Sequence, residues 1–206
     1  MMTSEAKAAW LSERCGYLTA SNMWRAMSYL KNGQPSRDRI ALMFDLLAER
    51  ATGENKSHVV TDAMQHGLDF EDEAVDLFVG QTGRDVRLSR FYRHPEIEYF
   101  GATPDREIDD GLIEVKCPQS STFLEWRLAG MVPEKYKPQM CAQMLCAGKT
   151  WCGFIAYDPR IKDERLRLFM RKYEPTAEEL KNVADAARLF LTELDALWER
   201  FTEIAA

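Results

Sequence analysis

Asp105, Glu114 and Lys116 are the residues of this 206-residue chain whose types and spacing could carry out a reaction. Asp105 follows Thr103-Pro104, and a proline that cannot donate to a ladder places the aspartate at a strand terminus. Between it and Glu114 lies Asp109-Asp110-Gly111, a turn signal, so a hairpin would set the two carboxylates on neighbouring strands. Glu114 and Lys116 are two apart and share one face of a strand, with Ile113 and Val115 turned into the core. Two carboxylates and a strand carbonyl such as that of Val115 can hold Mg²⁺, which takes oxygen ligands. Such an ion offsets charge on a phosphate and lowers the pKa of a bound water. A neighbouring lysine can orient or deprotonate that water and stabilise developing charge. The chemistry implied is phosphodiester hydrolysis. A bare Glu-x-Lys in a strand is more often an ordinary cross-strand ion pair. Here the preceding Pro-Asp, the apolar strand and the spacing favour the reactive reading.

A second carboxylate signal is independent of the first. On a helix expected from about Thr61 to Gln81, stepping about 100° per residue groups Glu71 with Met64, Leu68, Val75 and Phe78. An acid thus sits in the middle of an apolar face, where it is costly unless paired or coordinating a cation. An internal salt bridge with an arginine and a third metal-site carboxylate are the two alternatives; the second is the expectation.

The elements that must position these residues follow from periodicity. Helices are expected at Ser4 to Glu13, after the Thr19-Ala-Ser-Asn cap (Met23, Trp24, Met27) and at Ser36 to Ala51, burying Ile40, Met43, Phe44 and Leu47. The period then changes. Val86 to Tyr92, Tyr99 to Thr103 and Leu112 to Lys116 read as strands, helices return at Ser121 to Ala129 and Pro133 to Ala147, and Trp151 to Tyr157 and Arg165 to Arg171 read as strands. A long C-terminal helix follows Pro175, opened by a capping box of Thr176 and Glu179 and burying Leu180, Val183, Ala187, Phe190, Leu194 and Leu197. This order predicts one α/β domain over residues 1–206, a mixed five-stranded sheet flanked by helices.

Composition narrows the class. Apolar residues make up 46% and aromatics 11%, which argues against disorder. The apolar runs are too short and too charged to span a bilayer, and the N-terminus lacks a secretory pattern, so a soluble cytoplasmic protein is expected. Cys15, Cys117, Cys141, Cys146 and Cys152 form no CxxC pair and read as reduced thiols. His58, His66 and His94 lack ligand spacing, and Trp10, Trp24, Trp126, Trp151 and Trp198 read as core. The net charge of −6 is concentrated in Glu174 to Ala206, where eight acids face three bases. The rest is nearly neutral and carries basic clusters at Arg84, Arg87, Arg90 and Arg93, at Arg127, Lys135 and Lys137, and at Arg160 and Lys162. Net charge therefore neither requires nor forbids a nucleic-acid partner.

At this point the residues resemble a known group. Pro104-Asp105 … Glu114-Val-Lys116 resembles the PD-(D/E)XK nuclease signature, and the wider pattern resembles the phage λ exonuclease family, the YqaJ-like viral recombinases and alkaline exonucleases. The blocks are Arg14-Cys-Gly-Tyr-Leu-Thr-Ala-Ser21, Gly67-Leu-Asp-Phe-Glu71, Gly101 to Pro118, Tyr136-Lys-Pro-Gln139 and Ala156-Tyr-Asp-Pro-Arg160, in that order. The resemblance implies a restriction-endonuclease-like core. It implies that Asp105, Glu114 and the Val115 carbonyl bind Mg²⁺ (Mn²⁺ substituting), that Glu71 serves a second ion, and that Lys116 activates water with help from Gln139. It further implies that Arg14, Ser21, Tyr136 and Thr103 bind a terminal 5′-phosphate, a role suited to a guanidinium fork and hydroxyls. The implied activity is 5′-to-3′ digestion of one strand of linear double-stranded DNA. It leaves a 3′ overhang for a single-strand annealing recombinase, performed by a ring-shaped homotrimer in the bacterial host cytoplasm from a phage or prophage gene. The alternative is a structure-specific endonuclease or junction resolvase on the same core. An apolar wedge around Met64 to His66 could separate the strands.

Overall fold

The computed structural model describes residues 11–55 and 62–204, the side chains of 62–64 excepted. The helix expected from Ser4 lies outside this range except for its last turn, and so does the side chain of Met64. The chain enters through β1 (Leu18–Thr19), a 3₁₀ turn (Ala20–Asn22) and α1 (Met23–Ala26). Thr19 does not cap this turn. Its hydroxyl instead accepts from Asn22 Nδ2 at 3.2 Å and meets Ser21 Oγ at 3.3 Å. α1 buries Met23 and leaves Trp24 half exposed, against the expectation of a core tryptophan.

Ser36 Oγ accepts the Arg39 amide to open α2 (Arg37–Thr52), and Gly53 closes it in the left-handed region. Its buried face is turned from the expected one. Leu42, Met43 and Leu46 are in the core with Arg39 and Glu49, while Ile40 and Phe44 face out. The two buried charges are accommodated because each has partners. Arg39 donates to the Ala26 carbonyl and to Glu193, and Glu49 Oε2 accepts the Gly16 amide at 2.9 Å. α3 (Asp62–Thr82) follows, burying Ala74, Val75 and Phe78.

The strand region is finer than its sequence pattern. Val86 to Tyr92 divides into β2 (Val86–Leu88) and β3 (Tyr92–Arg93), which belong to different sheets. β4 (Phe100–Ala102) joins β1 and β3 in a small three-stranded sheet, not the main one. The neighbour of β6 (Gly111–Lys116) is a strand missed in the periodicity, β5 (Arg106–Ile108). Pro104, which lacks a donor, lies between β4 and β5 and separates the two ladders. With β7 (Cys152–Tyr157) and β8 (Leu168–Tyr173) the main sheet runs β2-β5-β6-β7-β8, five strands as expected, mixed because β6 and β7 alone are parallel.

α4 (Ser120–Ala129) and α5 (Lys137–Ala147, after a 3₁₀ turn at Glu134–Tyr136) form the crossover between β6 and β7. α6 (Ala177–Glu203) closes the chain, opened by the expected Thr176–Glu179 capping box. It buries Val183, Ala184, Ala187, Phe190, Leu191 and Leu194, with Leu180 and Leu197 packed at the edge of the core.

The sheet separates two apolar layers. Ile108, Ile113, Val115 and Ile155 pack on α3, whereas Leu112, Phe154 and Ala156 pack on α5 and its neighbours. Alternation therefore commits Glu114 and Lys116 to the α5 side of β6. Gly111 at the head of β6 has the Trp151 indole where a side chain would stand; a Cβ there would lie 2.2 Å from the ring. That indole donates to Asp110 Oδ1 at 2.9 Å and fixes the β5–β6 hairpin that carries both carboxylates. Among the described residues no helix is long and apolar enough to cross a membrane.

Candidate active site

The β5–β6 ladder pairs Arg106 with Ile113, which brings Asp105, just before β5, beside Glu114. A cavity of about 460 Å³ opens there, lined by Asp105, Val115, Lys116 and Cys117 from the hairpin and beyond, by His66, Gly67, Leu68 and Glu71 from α3, and by Trp126 and Tyr136. Three expected site carboxylates and the lysine thus meet at the carboxyl end of β6.

Glu114 is wholly buried and fully engaged. Its Oε1 accepts from Lys116 Nζ and from Gln139 Nε2 at 2.6 Å, and its Oε2 accepts from Gln143 Nε2. Gln139 stands where the resemblance requires it. Gln143 escaped the sequence reading, although its signal was of the same kind as that of Glu71. It is one turn on from Gln139, a polar residue inside the buried stripe Met140, Cys141 and Met144 of α5. Its own carbonyl oxygen accepts weakly from the Cys152 thiol at 3.9 Å, so both ends of the amide are used.

Asp105 Oδ2 accepts the Val115 amide at 2.7 Å, a bond across the hairpin that fixes the carboxylate. Burial raises the Asp105 pKa well above the ordinary carboxylate range, and the Glu114 and Glu71 charges add to the rise against the opposing pull of Lys116. Burial would lower the Lys116 pKa, but Glu114 and Asp105 outweigh it and hold the ammonium above its ordinary value. Lys116 Nζ also lies 5.3 Å over the Tyr136 ring, which itself stacks on Phe154. Cys117 is pushed up to about 12, first by burial and then by Glu71 and Asp105, so it stays a thiol.

Glu71 shows the arginine pairing. Arg106, buried on the α3 side of β5, donates to Glu71 Oε1 and to Asp72 Oδ1, each at 2.5 Å. Leu68, expected on the buried face with Glu71, is 62% exposed and lines the cavity. No cluster of three His, Cys, Asp or Glu side chains is gathered tightly enough to hold an ion among the described residues. The oxygens that could hold Mg²⁺ are those of Asp105 and Val115, which line the cavity, and of Glu114, which is buried outside its lining. Glu114 already accepts from three donors, so an ion there would share its oxygens with Lys116, Gln139 and Gln143.

The terminal-phosphate candidates are scattered. Tyr136 lines the cavity; Arg14 and Ser21 do not. Burial pulls the Arg14 guanidinium down to about 10, with the charge of Glu49 pulling it back up. Glu49 lies near the end of α2, so a helix-end acid faces Arg14 here. Ser21 is exposed. Thr103, two residues before Asp105, carries a buried hydroxyl without a hydrogen-bond partner among the described residues. His66, expected to be structural or on the surface, lines the cavity and packs at a tilt against the Phe70 ring, with a buried Nε2 that has no hydrogen-bond partner among the described residues. The basic clusters are largely spent on acids or carbonyls: Arg84 on Asp109, Arg87 on Asp85, Lys137 on Glu134, Arg127 on the Leu168 carbonyl.

A mixed five-stranded sheet with helices on both faces, and an Asp, a Glu and a Lys on a central hairpin, define a restriction-endonuclease-like nuclease core. The comparisons with known proteins agree. Residues 9–150 match the YqaJ-like viral recombinase domain, and the chain belongs to that family. It is similar to an alkaline exonuclease, LHK-Exo, from Laribacter hongkongensis, at 32% identity and a TM-score of 0.88 over 96% of this chain and 97% of that one. LHK-Exo in complex with dAMP matches equally well. A phage-related exonuclease from Haemophilus somnus 129PT shares the fold at 14% identity and a TM-score of 0.65, over 90% of this chain and 96% of that one. No curated protein matches. The protein is a nuclease of the viral recombinase family.

Proposed function

We propose that the protein is a Mg²⁺-dependent exonuclease that digests one strand of linear duplex DNA from its 5′ end and leaves a 3′ overhang for strand annealing. The observation that carries the reading is the meeting of Asp105, Glu114 and Lys116 on one hairpin, with Asp105 and Lys116 lining a cavity, in a chain of this family. Asp105, Glu114 and the Val115 carbonyl would hold the ion, which supplies charge for the phosphate and a more acidic water. The Val115 amide fixes Asp105, and Gln139 and Gln143 fix Glu114. Lys116, held as an ammonium by Glu114 and Asp105, would orient the attacking water and offset the charge developing on the phosphate, and the proton that the water loses passes to solvent. The water oxygen joins phosphorus as the bond to the 3′ oxygen breaks, so each cycle releases a nucleoside 5′-monophosphate. The dAMP in the LHK-Exo complex is of that class.

Glu71 can serve a second ion only when its pair with Arg106 opens. Arg14, Ser21, Thr103 and Tyr136 enter as ligands of the terminal phosphate by family resemblance. A ring-shaped homotrimer, an annealing recombinase as partner, and a place in the bacterial cytoplasm enter in the same way. Mn²⁺ should substitute for Mg²⁺.

The test uses linear duplexes with a 5′-phosphate or a 5′-hydroxyl and a covalently closed circle, each with Mg²⁺ or chelator. Digestion of the phosphorylated linear duplex, with Mg²⁺ only, is expected. Cutting of the closed circle would replace the exonuclease by an endonuclease; no cutting of any substrate would sink both.

A further inference from the structure

The Tyr157-Asp-Pro-Arg160 segment has no part in the chemistry above, yet it is built against the cavity. Asp158, at the end of β7, is fully buried. Its Oδ1 accepts from the Arg160 amide at 3.0 Å and from Arg160 Nε at 2.7 Å. The same guanidinium then reaches across to the loop after β6. Nη1 donates to Gln119 Oε1 at 2.8 Å and Nη2 to the Pro118 carbonyl at 2.7 Å. Pro118 and Gln119 are cavity wall, and α4, which carries the cavity residue Trp126, starts at the next position, Ser120. Burial raises the Asp158 carboxyl, but Arg160, with a smaller contribution from Ser120, outweighs it and holds the carboxyl below its ordinary value.

We infer that Asp158 and Arg160 form a strap that sets the wall of the substrate cavity, and that Arg160 is a positioning residue for the DNA terminus, not a phosphate ligand. Nε, Nη1 and Nη2 each donate within the protein, three of the five guanidinium N–H groups, which fixes the group against the loop, and the planar fork spans two acceptors that a lysine cannot reach together. The catalytic carboxylates are held independently, by the β5–β6 ladder and by α5. Loosening the strap should therefore widen the cavity and leave the reacting groups in place. The effect belongs in KM, not in kcat. The inference rests on the nuclease reading, which supplies the substrate.

The experiment compares wild type, Arg160→Ala, Arg160→Lys, Asp158→Asn and the double variant Asp158→Asn/Arg160→Ala on a phosphorylated linear duplex, with DNA affinity followed against salt. We expect a rise in KM on the order of tenfold in each single variant, kcat within about twofold, little rescue by lysine, and a double variant no worse than the worse single one. The salt slope should stay that of wild type. A phosphate ligand would behave otherwise: the slope would fall by about one, lysine would restore binding, and buried Asp158 would not share the defect. Any of those results overturns the strap. If the Asp158 or Arg160 variants do not fold, Gln119→Ala removes one anchor from the exposed loop. A smaller KM rise is expected there, and none would overturn the inference. Wild type that cuts no DNA would sink the nuclease reading itself; active wild type with contrary variants would sink only the strap.

Discussion

The two carboxylate-bearing sides of the site are built on opposite principles. On the β6–α5 side, Glu114 has no exposure and accepts from Lys116, Gln139 and Gln143, so its position is fixed before any ligand arrives. On the α3 side, Glu71 keeps 27% of its side chain exposed and shares Arg106 with Asp72, which is 82% exposed. One side is preorganised, and the other is an exchangeable ion pair. The difference separates the group that must be in place for the chemistry from the group that can change partners as substrate enters. Preorganised ligands with engaged outer partners are what a metal site needs to act without reorganising.

The largest break in this comparison should come from Lys116→Ala. Hydrolysis should fall on the order of a thousandfold or more, with DNA binding retained in an electrophoretic shift. A variant that fails to fold would instead make the Glu114–Lys116 pair structural. Next, Gln143→Leu strips one donor from a buried carboxylate, and Mn²⁺ titration followed by electron paramagnetic resonance should show affinity weakened by about 10- to 100-fold. Glu71→Gln, on the exchangeable side, should weaken the same titration only a few-fold. Equal losses at Gln143 and Glu71 would erase the distinction between the sides.

A third effect is thermal. Because the folded-state pKa of Asp105 is raised, the folded protein binds that proton more tightly than the unfolded chain, whose value is near 3.8. The resulting stability is present below that value and is lost as pH rises through the folded pKa. At neutral pH in chelator, Asp105→Asn should therefore melt a few degrees above wild type while being inactive, and the advantage should vanish in acid. Differential scanning fluorimetry at several pH values decides it; a less stable Asp105→Asn at neutral pH would mean that the carboxylate charge is already compensated. The smallest effect belongs to Arg14, which lies on neither side. Arg14→Ala should reduce the preference for phosphorylated over hydroxyl ends a few-fold, and an unchanged preference would leave Arg14 as a partner of Glu49 only.

Much of this was legible in the residues themselves. The Pro104 break, the turn at Asp109-Asp110-Gly111 and the shared face of Glu114 and Lys116 needed only a proline, a turn signal and a period of two, although the strand paired with β6 is β5 and not the expected Tyr99 to Thr103. The capping box at Thr176 and the Ser36 cap were equally local, and both formed. The misreadings share a cause. Ile40 and Phe44 fit a helical stripe, yet α2 turned its Arg39 and Glu49 inward because acceptors and donors from α1, α6 and the turn before β1 awaited them. β5 was missed because three residues, Arg-Glu-Ile, carry too short a pattern, and only pairing on both sides makes them a strand.

What the sequence determined by itself is chemical and local: a carboxylate, a carboxylate and a lysine on one hairpin, and the glutamine one helix later that the family pattern supplies. Their spacing is fixed by covalent geometry and the strand period, which no packing alters. What only the tertiary structure decided is who stands opposite whom. Gln143 beneath Glu114, Arg106 in the grip of Glu71, and Arg160 reaching from β7 to the loop after β6 are meetings between segments 29, 35 and about 41 residues apart. Such partners are selected by the layers closing on the sheet, because a buried charge accepts whichever donor the folded chain brings to it.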